Sequence, residues 1–71
     1  MSSELFRFVR VSKRLTQREF AETIGVSHGL VAQIEAGMKR VTPRTAARVR
    51  QAFDLTDEKL DELRRVLKVV V

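Results

Sequence analysis

The strongest constraint on this chain is how closely its helix-start and helix-stop signals follow one another. Gly25, Gly29, Gly37 and Pro43 punctuate the sequence, and cap residues stand beside them. Ser3 caps a first helix from about Glu4 to Lys13, with Leu5, Phe8 and Val9 on one face. Thr16 opens a second helix. Glu19 follows three residues later, so Thr16-Gln17-Arg18-Glu19 fits a capping box. Phe20, Ala21 and Ile24 form its apolar stripe, and Gly25 ends it as a C′ glycine should. Ser27 caps a third helix with Leu30, Val31 and Ile34 inward, and Gly37 stops it. After Met38-Lys39-Arg40-Val41, Thr42 is a good N-cap and Pro43 a good first helical residue. That fourth helix runs to about Phe53 and buries Ala46, Val49 and Phe53. Thr56 caps a fifth, with Asp57 and Glu58 where the helix dipole favours negative charge. Its stripe is Leu60, Leu63, Leu67 and Val70. Helices this short are marginal alone in water, so they must share a core. The expected class is all-α.

Length and composition narrow the function. At 71 residues the chain is one small domain, and most of its apolar side chains are needed to close one core. A substrate pocket would need surrounding mass that this chain lacks, and no nucleophile–base pair or Gly-rich phosphate loop is visible. An enzyme is not expected. There is no Cys and one His, His28, so no metal site is expected and no cofactor is implied. The opening MSSELFRF lacks the basic-then-apolar order of a secretory signal, and no apolar run is long enough to span a membrane. A cytoplasmic protein is expected. The formal net charge of +5 is unevenly placed: residues 1–53 hold 10 Lys+Arg and 4 Asp+Glu, whereas residues 54–71 hold 4 and 5. The first part suits a polyanion.

Gln17 to Ala36 reads as two short helices joined by Gly25-Val26-Ser27, which is the chemistry of a helix-turn-helix. Small Ala21 allows a close crossing, Gly25 takes positive φ without a Cβ penalty, and Val26, Val31 and Ile34 set the crossing from inside. From Leu15 to Phe53 the chain reads LTQREFAETIGVSHGLVAQIEAG, a basic loop, then PRTAARVRQAF. This closely resembles the Cro/repressor-type (XRE) helix-turn-helix family over roughly residues 5 to 63. The resemblance implies a compact five-helix lambda-repressor-like domain. It also implies binding of double-stranded DNA in the major groove, usually as a dimer on two half-sites, in phage or bacterial transcription control. It places His28, Gly29, Ala32 and Gln33 on the groove-facing side of helix three. It makes Gln17 a phosphate contact that buttresses the reading helix, Ser27 a cap that reaches phosphate, and Arg10 with Glu35 an internal ion pair.

Physical chemistry agrees with that placement. A helix N-terminus suits a phosphate, and Gln bonds an adenine edge in two places, which makes Gln33 the best reader. Gly29 presents no side chain; it lets the backbone approach closely or leaves room for a thymine methyl. Lys39, Arg40 and Arg44 flank the groove and suit phosphates or the minor groove. Arg18 leans towards phosphate, Arg7 and Lys13 fit either role, Arg48 and Arg50 read as a solvated face, and Met38 as loop packing. The family often has Gly where this chain has Arg14, and Arg in the left-handed region costs on the order of 1 kcal/mol.

The expected division is a DNA-binding domain over residues 1–63 and an apolar extension over 64–71. Leu67, Val69, Val70 and Val71 exceed what the core needs and suit packing across a two-fold axis. A dimeric repressor is therefore the leading expectation. An antitoxin that binds a toxin and represses its own operon, and a protein–protein adaptor of the same fold, are the alternatives.

Overall fold

The computed structural model describes residues 1–70, and of Val70 the backbone alone. Five helices are present among them: α1 (Ser3–Ser12), α2 (Gln17–Ile24), α3 (His28–Glu35), α4 (Pro43–Ala52) and α5 (Asp57–Val70). α2 packs on α3 and α4, while α1 packs on α3 and α5. None of these helices is long and apolar enough to cross a membrane.

The caps lie where side-chain chemistry puts them. Thr16 accepts from the Glu19 N–H at 3.1 Å while Glu19 Oε1 accepts from the Thr16 N–H at 2.9 Å, which completes the capping box. Thr42 and Thr56 accept from the N–H groups of Thr45 and Lys59, both at 3.2 Å. At α1 the cap is Ser2 rather than Ser3; its hydroxyl accepts from the Leu5 N–H at 3.0 Å. Either serine could satisfy the same orphan donors, and the earlier one gives α1 another residue.

The core is built from Leu5, Phe6 and Val9 of α1, Phe20, Ala21 and Ile24 of α2, Val31 and Ile34 of α3, and Val49, Leu55 and Leu60. Phe6, not Phe8, is fully buried; Phe8 is half-buried. Both fit the helical spacing, but Phe6 meets α2, edge-on to Phe20 with ring centroids 5.1 Å apart. Phe20 in turn stacks on Phe53 at 5.6 Å, so aromatic contacts join α1, α2 and the end of α4. In α4 the buried partner of Val49 is Thr45, while Ala46 and Phe53 are half-buried. Thr45 tolerates burial because its hydroxyl accepts from Thr42 Oγ1 at 3.1 Å.

Leu67 differs from its expected role. It packs, with Leu63, partly buried against the core of its own chain, beside Met1 and Leu5. α5 continues without interruption across residues 63 and 64. Val66 and Val69 are exposed, Val69 at 87%. Val71 lies outside the described residues.

Two connections share one design. After α1, Arg14 takes φ 57°, and after α4, Asp54 takes φ 52°. In each case a leucine follows, then a threonine cap. The Leu15 N–H donates to the Arg10 carbonyl at 3.3 Å, and the Leu55 N–H to the Arg50 carbonyl at 2.9 Å. These are Schellman-type closures, which favour glycine at the left-handed position. Asp tolerates it through its short polar side chain; Arg has no such relief. Arg14→Gly should therefore raise unfolding stability by about 1 kcal/mol. A urea titration of both proteins checks this, and an unchanged midpoint would refute the strain.

Candidate nucleic-acid interface

The turn between α2 and α3 fixes how α3 is presented. Gly25 takes φ 76°, and the N–H groups of Gly25 and Val26 both donate to the Ala21 carbonyl, at 2.9 and 3.0 Å. Arg48 reaches across from α4 and its Nη1 donates to the Gly25 carbonyl at 3.4 Å. A Cβ at residue 25 would stand 2.9 Å from that nitrogen, the movable end of a long side chain, so it is the left-handed backbone that calls for glycine. Nothing in the sequence marks this role of Arg48, which is 23 residues from its partner.

Ser27 then caps α3, its hydroxyl accepting from the Leu30 N–H at 3.1 Å. Val31 and Ile34 face the core. His28 and Gly29 are exposed, while Ala32 and Gln33 are half-buried. The first N–H groups of a helix have no partner within it, so the exposed start of α3 carries donors and a partial positive charge. Gly29 has no structural need to be glycine. A Cβ there would meet nothing within 4 Å, and the backbone is not left-handed. In a helix, glycine is less stable than alanine by roughly 0.5–1 kcal/mol.

The far end of α3 is held by a carboxylate. Glu35 Oε2 accepts from Arg10 Nε at 2.7 Å and Oε1 from Arg10 Nη2 at 2.8 Å. Arg10 Nη1 donates to the Leu15 carbonyl at 2.8 Å, and Gln17 Nε2 to Glu35 Oε1 at 3.3 Å. The Glu35 side chain is only 5% exposed. Burial by itself would push its carboxyl up. The bonds from Arg10 and Gln17, with the charges of Arg10 and Arg7, outweigh burial and hold it below its ordinary value. Arg10 is raised in turn, chiefly by its bond to Glu35. Gln17, expected both to contact phosphate and to buttress the reading helix, thus bonds the end of α3 from the start of α2.

The basic loop folds onto the same helix. The N–H groups of Met38 and Lys39 donate to the Gln33 carbonyl at 2.9 and 3.3 Å, and Gly37 turns the chain at φ 78°. Lys39, Arg40 and Arg44 are exposed, as is Arg18 on α2. Met38 does not pack the loop; it is 74% exposed, because the turn at Gly37 directs it outward while the backbone makes the contact. Lys13 and Arg50 have intramolecular partners: Lys13 Nζ lies 5.8 Å from the Phe53 ring centre, and Arg50 Nη2 pairs with Asp57 at 2.7 Å.

A family model described as helix-turn-helix matches residues 6–60, which is most of the chain. No curated protein and no solved structure matches it.

The Glu35 clasp has a pH signature. Its folded-state value lies below the unfolded one, so its contribution is present above the ordinary carboxylate range and is lost as pH falls through the folded value. Arg10→Met should lower stability by about 3 kcal/mol near pH 7, since it strands a buried charge. In acid, where Glu35 is protonated, the gap from the unmodified protein should shrink. Urea titrations between about pH 7 and pH 3 measure it, and a gap independent of pH would refute the ionic origin.

Proposed function

The chain belongs to the XRE-type helix-turn-helix family of DNA-binding regulators, and on that premise we propose that it is a dimeric repressor reading two operator half-sites with α3. The observation that carries this reading is the exposed start of α3. It offers His28 and a glycine that the fold does not require, with Ala32 and Gln33 one turn on. In this reading Gln33 and His28 bond base edges, while Gly29 and Ala32 leave room for the groove floor. Gln17, Arg18, Ser27, Lys39, Arg40 and Arg44 hold phosphates and set the register.

Size supports a dimer. Two half-sites on one face of DNA lie about 34 Å apart, whereas the longest extent of this chain is 29 Å. One copy presents α3 to one major groove, and the adjacent groove needs a second. The outer face of α5, with Val66 and Val69 exposed, is the surface offered for that pairing. In this reading, occupancy of the operator follows protein concentration through dimerisation, and the repressor acts on its own gene.

Fluorescence anisotropy tests the proposal, with DNA from upstream of the protein's own gene against random duplex. The upstream DNA should bind more tightly by a factor of roughly a thousand or more. Gln33→Ala should lose about 1–3 kcal/mol at one base pair and relax selectivity there. Gly29→Ala should melt no lower than the unmodified protein yet bind the operator less well. Equal affinity for both duplexes would sink the autorepressor reading.

A further inference from the structure

One cation near α3 is left over once the fold has been satisfied. Glu35 carries a single negative charge, and Arg10 already neutralises it with two hydrogen bonds, at 2.7 and 2.8 Å. Arg7, one turn earlier on α1, brings a second guanidinium to the same carboxylate. Its Nε stands 3.7 Å from Glu35 Oε1, beyond hydrogen-bond reach, on an oxygen that Arg10 and Gln17 already occupy. The Arg7 side chain is 66% exposed against 14% for Arg10. Arg10 is part of the clasp; Arg7 is only oriented by it. With the carboxylate already paired to Arg10 and the Arg7 side chain largely in water, that longer approach adds little to stability.

What Arg7 adjoins gives it a use. It borders a shallow open depression with Gln17, Ala32 and Ala36. The two alanines leave the side of α3 low, so a rod-shaped polyanion lying along α3 can approach there. The geometry points to Arg7 as a further DNA contact, a phosphate ligand supplied by α1 and pre-oriented by Glu35. This rests on the reading of α3 as the groove-entering helix. It adds α1 to the elements that grip the DNA backbone, beyond α2, the start of α3, the basic loop and α4. Arginine suits the task, since its fork leaves donors free for a phosphate while Nε faces the carboxylate.

The salt dependence of binding tests it. Each phosphate neutralised contributes about 0.9 to the slope of log affinity against log salt. Arg7→Ala should therefore flatten that slope by about 1, equally on upstream DNA and on random duplex, and leave the melting midpoint unchanged. Arg7→Lys should recover most of the slope. Arg64→Ala, at a residue paired with Asp61 on α5, should leave the slope as it is. An unchanged slope for Arg7→Ala would overturn the inference. So would a lowered melting midpoint with the slope intact, which would make Arg7 a structural partner of Glu35. Random duplex keeps the two readings apart: an absent preference for upstream DNA would defeat the operator reading, while the slope on random duplex would still report on Arg7. If the unmodified protein bound no duplex, both would fall.

Discussion

Glu35 occupies the end of α3 with its carboxylate almost out of water, and two other helices converge on it. Arg10 from α1 forks onto both oxygens, Gln17 from α2 adds a third bond, and Arg10 also holds the Leu15 carbonyl in the connection between α1 and α2. A buried carboxylate without its partner is strongly unfavourable, so these elements are committed to one arrangement. Apolar packing of Val31 and Ile34 presses α3 inward but is tolerant of small rotations. The directional bonds at Glu35 are not. They set the orientation in which α3 carries His28 and Gly29 outward.

Around that clasp the domain divides its residues between holding and presenting. Phe6, Phe20 and Phe53 contact one another in series, and the caps satisfy the helix starts. Among the described residues no buried side-chain nitrogen or oxygen lacks a partner. The basic residues follow the same division. Arg10 is largely buried in the clasp, and Lys13 and Arg50, though exposed, have intramolecular partners; Arg18, Lys39, Arg40 and Arg44 stand exposed around α2, α3 and the start of α4. Local strain is tolerated where it closes a helix, as at Arg14.

The parts legible in the sequence were those governed by neighbours a few residues apart. Thr16 with Glu19, Ser27, Thr42 with Pro43, and Gly25 each act within one helical turn, and each helix start they mark is where it was expected. The helix-turn-helix itself was legible for that reason. Less visible were choices between equivalent candidates. Phe6 and Phe8 lie on opposite flanks of the Leu5–Val9 face, Ser2 and Ser3 suit the same cap, and Thr45 competes with Ala46; in each case the neighbouring helix or the local bonding settled it. Arg48 at the Gly25 carbonyl and the outward turn of Met38 left no sequence signal, because they depend on where remote backbone atoms lie.

By itself, then, the sequence determined five capped helices, the crossing of α2 and α3 at a glycine, and the surplus of positive charge in the first 53 residues. Caps, turn conformations and net charge are local or additive properties, and they need no knowledge of the fold. Only the tertiary structure decided which apolar residues the core takes, that Leu67 packs against it, and which arginine serves Glu35 and which is left at its edge. Those outcomes depend on distances across the molecule. A difference of about an ångström separates the charge-assisted bonds of Arg10, at 2.7 and 2.8 Å, from the 3.7 Å approach of Arg7.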